Sequence, residues 1–231
     1  MSSSEKGETH ISSQGKRMFN IIKQDKDISS QEIANLYDDW ATSFEKDNVK
    51  LNYRGPHEMS SVLAEFGNSK DVSVLDVGSG TGLLGEALKA LGFTNVSALD
   101  ISQKSLDFSE KKGIYKKLFC VDVGTDGMPF NDNEFDVLAC CGGIVPNHIS
   151  PVAIEEWTRI VKQGGIIVLS IRRCYIEIMQ GQEELYSKKL AEKCDEVLED
   201  LKNTKKVEVT LKKEVPYLEN SPAVIYVLKV L

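Results

Sequence analysis

Val74-Leu75-Asp76-Val77-Gly78-Ser79-Gly80-Thr81-Gly82 is the stretch that decides the fold. A short strand-like run ends in glycines at alternate positions, and Leu83, Leu84, Ala87, Leu88 and Leu91 follow at helical spacing. A strand therefore feeds a helix through a loop that turns tightly and lets a ligand approach its backbone. The first turn of that helix offers N–H groups and the positive end of its dipole. Asp100 closes the next apolar run, about 20 residues after Gly78, where a carboxylate suits the two hydroxyls of a ribose.

The same alternation continues outward. Apolar runs at Val96 to Leu99, Leu118 to Val121, Phe135 to Cys141 and Ile166 to Ile171 read as strands buried on both faces. Helical stripes lie between them, among them Ile154, Trp157, Ile160 and Val161, and Ser102 is placed to cap one helix. After a long helical stripe from Tyr186 to Leu201, Val207, Val209 and Leu211 alternate with polar residues, and Ala223 to Val230 is apolar. Two strands joined without a helix pair antiparallel. The prediction is an α/β fold. It has a Rossmann-like, mostly parallel sheet of about seven strands, helices on both faces and an antiparallel C-terminal hairpin.

Upstream, Ile33, Leu36, Tyr37, Trp40 and Phe44 recur at helical spacing behind Ser29 or Ser30 as cap, and a second helix starts near Pro56. Residues 1–16 are rich in Ser, Glu, Lys and Gly and read as a disordered tail. The domain then spans 17–231, with a helical lid over 17–70 and the Rossmann-like core over 71–231.

The chain has 231 residues, enough for one such domain, and a net charge of −7. That acidity argues against a general grip on nucleic acid or on an anionic membrane. No apolar stretch is long enough to span a bilayer, and the polar N-terminus has no secretory signal. Five cysteines without regular spacing suit a reduced, cytoplasmic protein. Cys120, Cys140 and Cys141 read as small core residues. His10 and His57 form no ligand spacing, so no metal is implied.

A dinucleotide fingerprint wants a third glycine where this chain has Leu83. Gly-x-Gly-x-Gly, with Asp76 two residues ahead of it, instead resembles the first motif of the class I S-adenosylmethionine-dependent methyltransferases. Asp100 matches that family's ribose-binding acid, and Cys120-Val121-Asp122-Val123 matches its adenine-binding stretch. Met128 to Val137 looks like its "LPF-x-D-x-x-FD-V" run. Lys162-Gln163-Gly164-Gly165 resembles its "K-P-G-G" turn, with Gln163 where proline is usual. The lead-in Tyr37-Asp38-Asp39-Trp40-Ala41, Phe44 to Asp47 and Tyr53-Arg54-Gly55-Pro56 is similar to that of the Williams–Beuren-region methyltransferase-like proteins.

The resemblance implies S-adenosyl-L-methionine as cofactor and S-adenosyl-L-homocysteine as product. It sets Gly78 and Gly80 against the methionine part, with Asp76 orienting it. It gives the ribose to Asp100, and the adenine to Asp122 and the Val123 N–H. It places Ser79, Thr81, Ile101 and Cys140 around them, and has Tyr37, Trp40 and Arg54 closing over the cofactor.

Each residue also has a plainer reading. Asp100 can cap a helix, Asp122 can serve a turn, Tyr37 and Trp40 can pack, and Arg54 can be a surface cation. His148 lies past the fourth strand, where it can act as a base, cap a helix or meet solvent. Cys141 reads as packing rather than as a nucleophile. The expected activity is methyl transfer to a small molecule by a monomer. Two alternatives stand beside it: a non-catalytic protein that binds the cofactor and acts by interaction, and a nicotinamide-dependent oxidoreductase.

Overall fold

The computed structural model describes residues 11–22, 28–66, 69–123, 127–173, 185–219 and 221–231. Its centre is one seven-stranded sheet: β1 (Val74–Val77), β2 (Val96–Asp100), β3 (Leu118–Cys120), β4 (Phe135–Cys141), β5 (Val161–Arg172), β6 (Val207–Leu218) and β7 (Ser221–Val230). Their order is β3-β2-β1-β4-β5-β7-β6. The first five are parallel, and β7 pairs antiparallel with both β5 and β6. The order reverses between β1, which continues outward to β2, and β4, so a crevice opens past the carboxyl ends of these strands.

The predicted architecture holds, with one change of extent. Gly164-Gly165 does not precede the fifth strand but lies inside it, where Gly164 takes a φ of +80°. Cys120 also departs from its reading as a core residue. It is exposed, because β3 is the short edge strand of the sheet.

Helices cover both faces. α3 (Gly55–Phe66) and α4 (Leu83–Ala90) bury Met59, Val62, Leu63, Leu84 and Leu88 on one side. On the other, α6 (Ala153–Ile160) buries Ile154 and Trp157, and α7 (Leu185–Asn203) buries Cys194, Leu198 and Leu201. Side chains of this size contribute about 1.5–3 kcal/mol each when fully buried. The side chain of Tyr186 lies outside the described residues. α5 (Gln103–Lys112) follows β2, and Ser102 caps it as expected, its hydroxyl accepting from Ser105 N at 3.1 Å.

A third cluster sits apart from these two. Met18 of α1 (Ser13–Ile22) packs with Ile33, Leu36 and Trp40 of α2 (Ser30–Lys50) over the carboxyl edge of the sheet. α2 starts where Ser29 predicts: its hydroxyl accepts from Glu32 N while the Glu32 carboxylate accepts from Ser29 N. Such a reciprocal cap stabilises a helix by about 1 kcal/mol.

Two boundaries shift. Residues 11–16, read as the end of a tail, carry buried Ile11 and the start of α1; residues 1–10 lie outside the described residues. α3, read as part of the lid over 17–70, belongs to the face layer instead, because its apolar side chains meet the sheet and α4.

Candidate functional site

β1 ends at Val77, and the chain turns through Gly78 and Gly80 with φ of +70° and +53°. Gly78 N and Ser79 N both donate to Leu99 O, at 2.8 and 3.1 Å, which ties the loop to β2. Gly80 N donates instead to Asp100 Oδ2 at 2.7 Å, and Ser102 N donates to Oδ1 at 2.8 Å. Asp100 is thus fixed by backbone at the mouth of a cavity of about 270 Å³. A carboxylate held this way suits a vicinal diol. Burial raises its pKa, and the backbone N–H groups of Ser102, Gly80 and Ile101 oppose that rise. Asp100 is not the N-cap of α5, a place that Ser102 takes; it accepts from Ser102 N and lines the cavity.

Ile101, Asp122 and Val123 line the same cavity at its β2–β3 end, with Asp122 exposed. Opposite them stand aromatics of α2. Tyr37 stacks on Trp40 at 6.1 Å between centroids, and Trp40 meets Phe44 edge-on at 4.8 Å. These residues pack and also face the cavity, so their two readings are not exclusive. Trp40 Nε1 donates to buried Asp47 at 2.8 Å, and Ser12 adds bonds from its N–H and its hydroxyl. Burial pushes the Asp47 carboxyl up, but these bonds outweigh it and hold it below its usual range. α2 is fastened to the core by Asp38, which accepts from Ser102 Oγ at 2.6 Å. Glu45 adds bonds from Thr81 Oγ1 and Lys112 Nζ.

His148 lies beside Tyr37, ring edge to face at 5.5 Å. It caps no helix. Its Nδ1 sits 2.8 Å from Pro146 O, an acceptor, so Nδ1 carries the proton and Nε2 is a lone pair, buried without a partner. Burial pushes its pKa down to about 4, so the ring is neutral near pH 7.

Five predicted residues stand elsewhere. Arg54 does not reach the cavity: its guanidinium pairs with Glu58 one turn on, at 2.8 Å, and is half exposed. Ser79 is buried behind the loop, with Oγ unpartnered. Thr81 turns towards Glu45. Cys140 is fully buried because it points into the core face of β4, and burial raises its thiol pKa. Asp76 is 1% exposed, accepts from Tyr115 Oη at 2.6 Å, and keeps Oδ1 unpartnered. Burial pushes its pKa up to about 7.

One wall of the cavity joins Tyr53 and Cys141, which the sequence singles out without this role, to Tyr217 and Ser170, which it does not. Tyr53 precedes α3 and Tyr217 ends β6, yet their hydroxyls meet at 3.1 Å. Cys141 Sγ is 3.3 Å from Tyr53 Oη, and Ser170 Oγ is 3.1 Å from Tyr217 Oη. Gly142, with φ of +76°, permits this approach, since a Cβ there would lie 2.6 Å from Tyr217 Oη. Burial pushes the Cys141 thiol up to about 11, so it is no thiolate and packs as read.

Residues 75–169 match the family model of a methyltransferase domain. Over 139 residues the chain is 30% identical to human methyltransferase-like protein 27, a match that spans 59% of this chain and 56% of that protein. It is 25% identical over 210 residues to the ubiquinone/menaquinone biosynthesis C-methyltransferase UbiE of Shewanella sp. (strain W3-18-1), covering 86% of this chain and 79% of that one. Among solved structures, a SAM dependent methyltransferase from Aquifex aeolicus superposes with a TM-score of 0.56 at 22% identity, over 88% of this chain and all of that one. The cyclase SpnF superposes with a TM-score of 0.64 at 16% identity. At such identities the structural likenesses speak for the fold alone.

Proposed function

We propose that the chain is a class I S-adenosylmethionine-dependent methyltransferase and that it methylates a small, largely apolar molecule held between its sheet edge and its α1–α2 layer. The observation that carries this reading is the two-sided cavity. One end is polar and backbone-fixed around Asp100, and the other is roofed by Phe19, Ile22, Ile33, Tyr37 and Trp40. The relatives named for ubiquinone and menaquinone biosynthesis support a small-molecule acceptor.

The residues present fit the cofactor. Gly78 and Gly80 present bare backbone to the cavity, the Asp100 carboxylate suits the ribose hydroxyls, and Asp122 with Val123 N–H suits the adenine edge. When bound, the cofactor supplies a methyl group on a sulfonium, which is the hard part of the chemistry. The chain's own residues orient and exclude water. His148 takes a hydrogen bond on Nε2 from the acceptor; at a pKa of about 4 it positions rather than fully removes a proton. Asp76 does not line the cavity, and its buried, unpartnered Oδ1 can act on the cofactor's positive charge only at a distance.

The cavity is completed within one chain, which suits a monomer. No helix among the described residues is long and apolar enough to cross a membrane. The described cysteines are all free, which suits a reducing cytoplasm.

The test is transfer of labelled methyl groups from S-adenosylmethionine into a mixed pool of small aromatic molecules, protein and RNA. Label in the low-mass fraction is expected. Label confined to protein or RNA sinks the reading of the acceptor, and binding without transfer favours a non-catalytic binder.

A further inference from the structure

Tyr53, Tyr217 and Cys141 form a connected polar wall of the cavity, and buried Ser170 joins it from behind through Tyr217. Ser170 Oγ accepts from Gly142 N at 3.0 Å, Tyr217 Oη lies within hydrogen-bond distance of both Ser170 Oγ and Tyr53 Oη, and Tyr53 Oη is also 3.3 Å from Cys141 Sγ. When Ser170 donates to Tyr217 and Tyr217 to Tyr53, the Tyr53 hydroxyl is left with Cys141 Sγ, and sulfur is a weak acceptor. Burial keeps both phenols protonated far above neutral pH, so they act as donors and not as bases.

The charges around the wall point the same way. Carboxylates lining the cavity, among the described residues, are Asp100 and Asp122, both at the β2–β3 end. Arg172 lies two residues beyond Ser170 on β5, on the same side of the strand, and lines the cavity with its guanidinium against Ser221. An ammonium group would meet no anion at this wall.

We propose that Tyr53 and Tyr217 are specificity-determining residues that donate hydrogen bonds to an oxygen of the acceptor, which is therefore an oxygen-bearing, non-cationic molecule with an apolar body. The oxygen displaces the Tyr53 hydroxyl from Cys141 Sγ and takes the stronger bond. Gly142 links this wall to the cofactor side: it touches both phenols, while its neighbour Gly143 lies 3.8 Å from where a Cβ on Gly78 would stand. This assignment rests on the reading of the cavity as a methyl-transfer site.

Three probes of one shape test it by fluorescence titration of the full chain, with and without S-adenosylhomocysteine. They are a naphthyl methyl ketone, isopropylnaphthalene and naphthylmethylammonium. The ketone is expected to bind at least about tenfold more tightly than the hydrocarbon, the worth of one good hydrogen bond, with the ammonium weakest. In Tyr53→Phe and in Tyr217→Phe the ketone should lose that advantage, while affinities for the hydrocarbon and for S-adenosylhomocysteine stay unchanged. Tyr53 is only half-buried, so Tyr53→Phe decides the matter even where Tyr217→Phe disturbs the fold. Equal binding of ketone and hydrocarbon, a preference that survives both substitutions, tightest binding of the ammonium, or no probe binding overturns the proposal. A native protein without affinity for S-adenosylhomocysteine instead sinks the cofactor reading, and the probe ranking still decides this one.

Discussion

The two walls of the cavity are made by different means. On the sheet side, Gly78, Gly80 and Asp100 come from one β-turn-α-β unit and are held by main-chain hydrogen bonds. On the opposite side, Tyr37, Trp40, Tyr53, His148 and Tyr217 come from four separate segments and are held by side chains against side chains. A wall built of backbone tolerates little variation and binds what is constant. A wall built of side chains can be changed one residue at a time, which suits the variable partner of a reaction.

The largest effect should come from the backbone wall. Asp100→Ala removes the acceptor of Gly80 N and the diol ligand together, and should weaken S-adenosylhomocysteine binding by about a hundredfold or more in calorimetry. Retained affinity would break the division between the walls. Next is Trp40→Ala. It empties the centre of the α1–α2 cluster and should cost that layer about 3 kcal/mol, read as faster amide exchange in α1 and α2 with the sheet unaffected.

Asp47→Asn is milder, about 1–3 kcal/mol, and acts on the same layer. Its pH dependence has a definite sign. The folded carboxyl titrates below its unfolded value of 3.8, so its contribution is present above 3.8 and fades as pH falls through the lower folded value. Amide exchange in α1 should therefore quicken in acid, and Asp47→Asn should remove that dependence.

The smallest signal is a proton. Asp76 has a folded pKa of about 7 against 3.8 unfolded. Its burial costs stability that grows between those values and is constant above them. A positive cofactor in the cavity, where Asp100 already acts on Asp76 electrostatically, lowers the folded pKa, so binding near neutral pH should release a proton. The heat of binding should then vary with the buffer's ionisation heat, and Asp76→Asn should abolish that variation.

The sheet wall was readable from sequence because its elements are local. The glycine spacing, Asp100 after the next strand and Asp122 after the third depend on short-range turn geometry that leaves a pattern. The side-chain wall was readable only where helical periodicity exposed it, as at Tyr37 and Trp40. Tyr217 carries no such trace: it sits in an alternating strand, and only the pairing of β6 beyond β7 sets it against Tyr53. Arg54 misled for a physical reason. A cation near a predicted site is satisfied as well by the nearest acid on its own helix, here Glu58. Cys140 misled because strand alternation sends adjacent side chains to opposite faces, and its neighbour Cys141 took the cavity side.

The insertion of β7 between β5 and β6 sets an order of assembly. β6 pairs by backbone with β7 alone, so the strand bearing Tyr217 has no ladder to join until the segment after it has paired. Arg54 N, at the entrance to α3, donates to Tyr217 O at 2.8 Å, so that junction closes at the same moment. Closing a loop between partners so far apart in the chain carries the largest entropic cost and comes late in folding. A chain arrested before β7 would already hold the glycine loop yet lack the wall of Tyr53 and Tyr217, so the surface proposed to select the acceptor is the last part of the cavity to form.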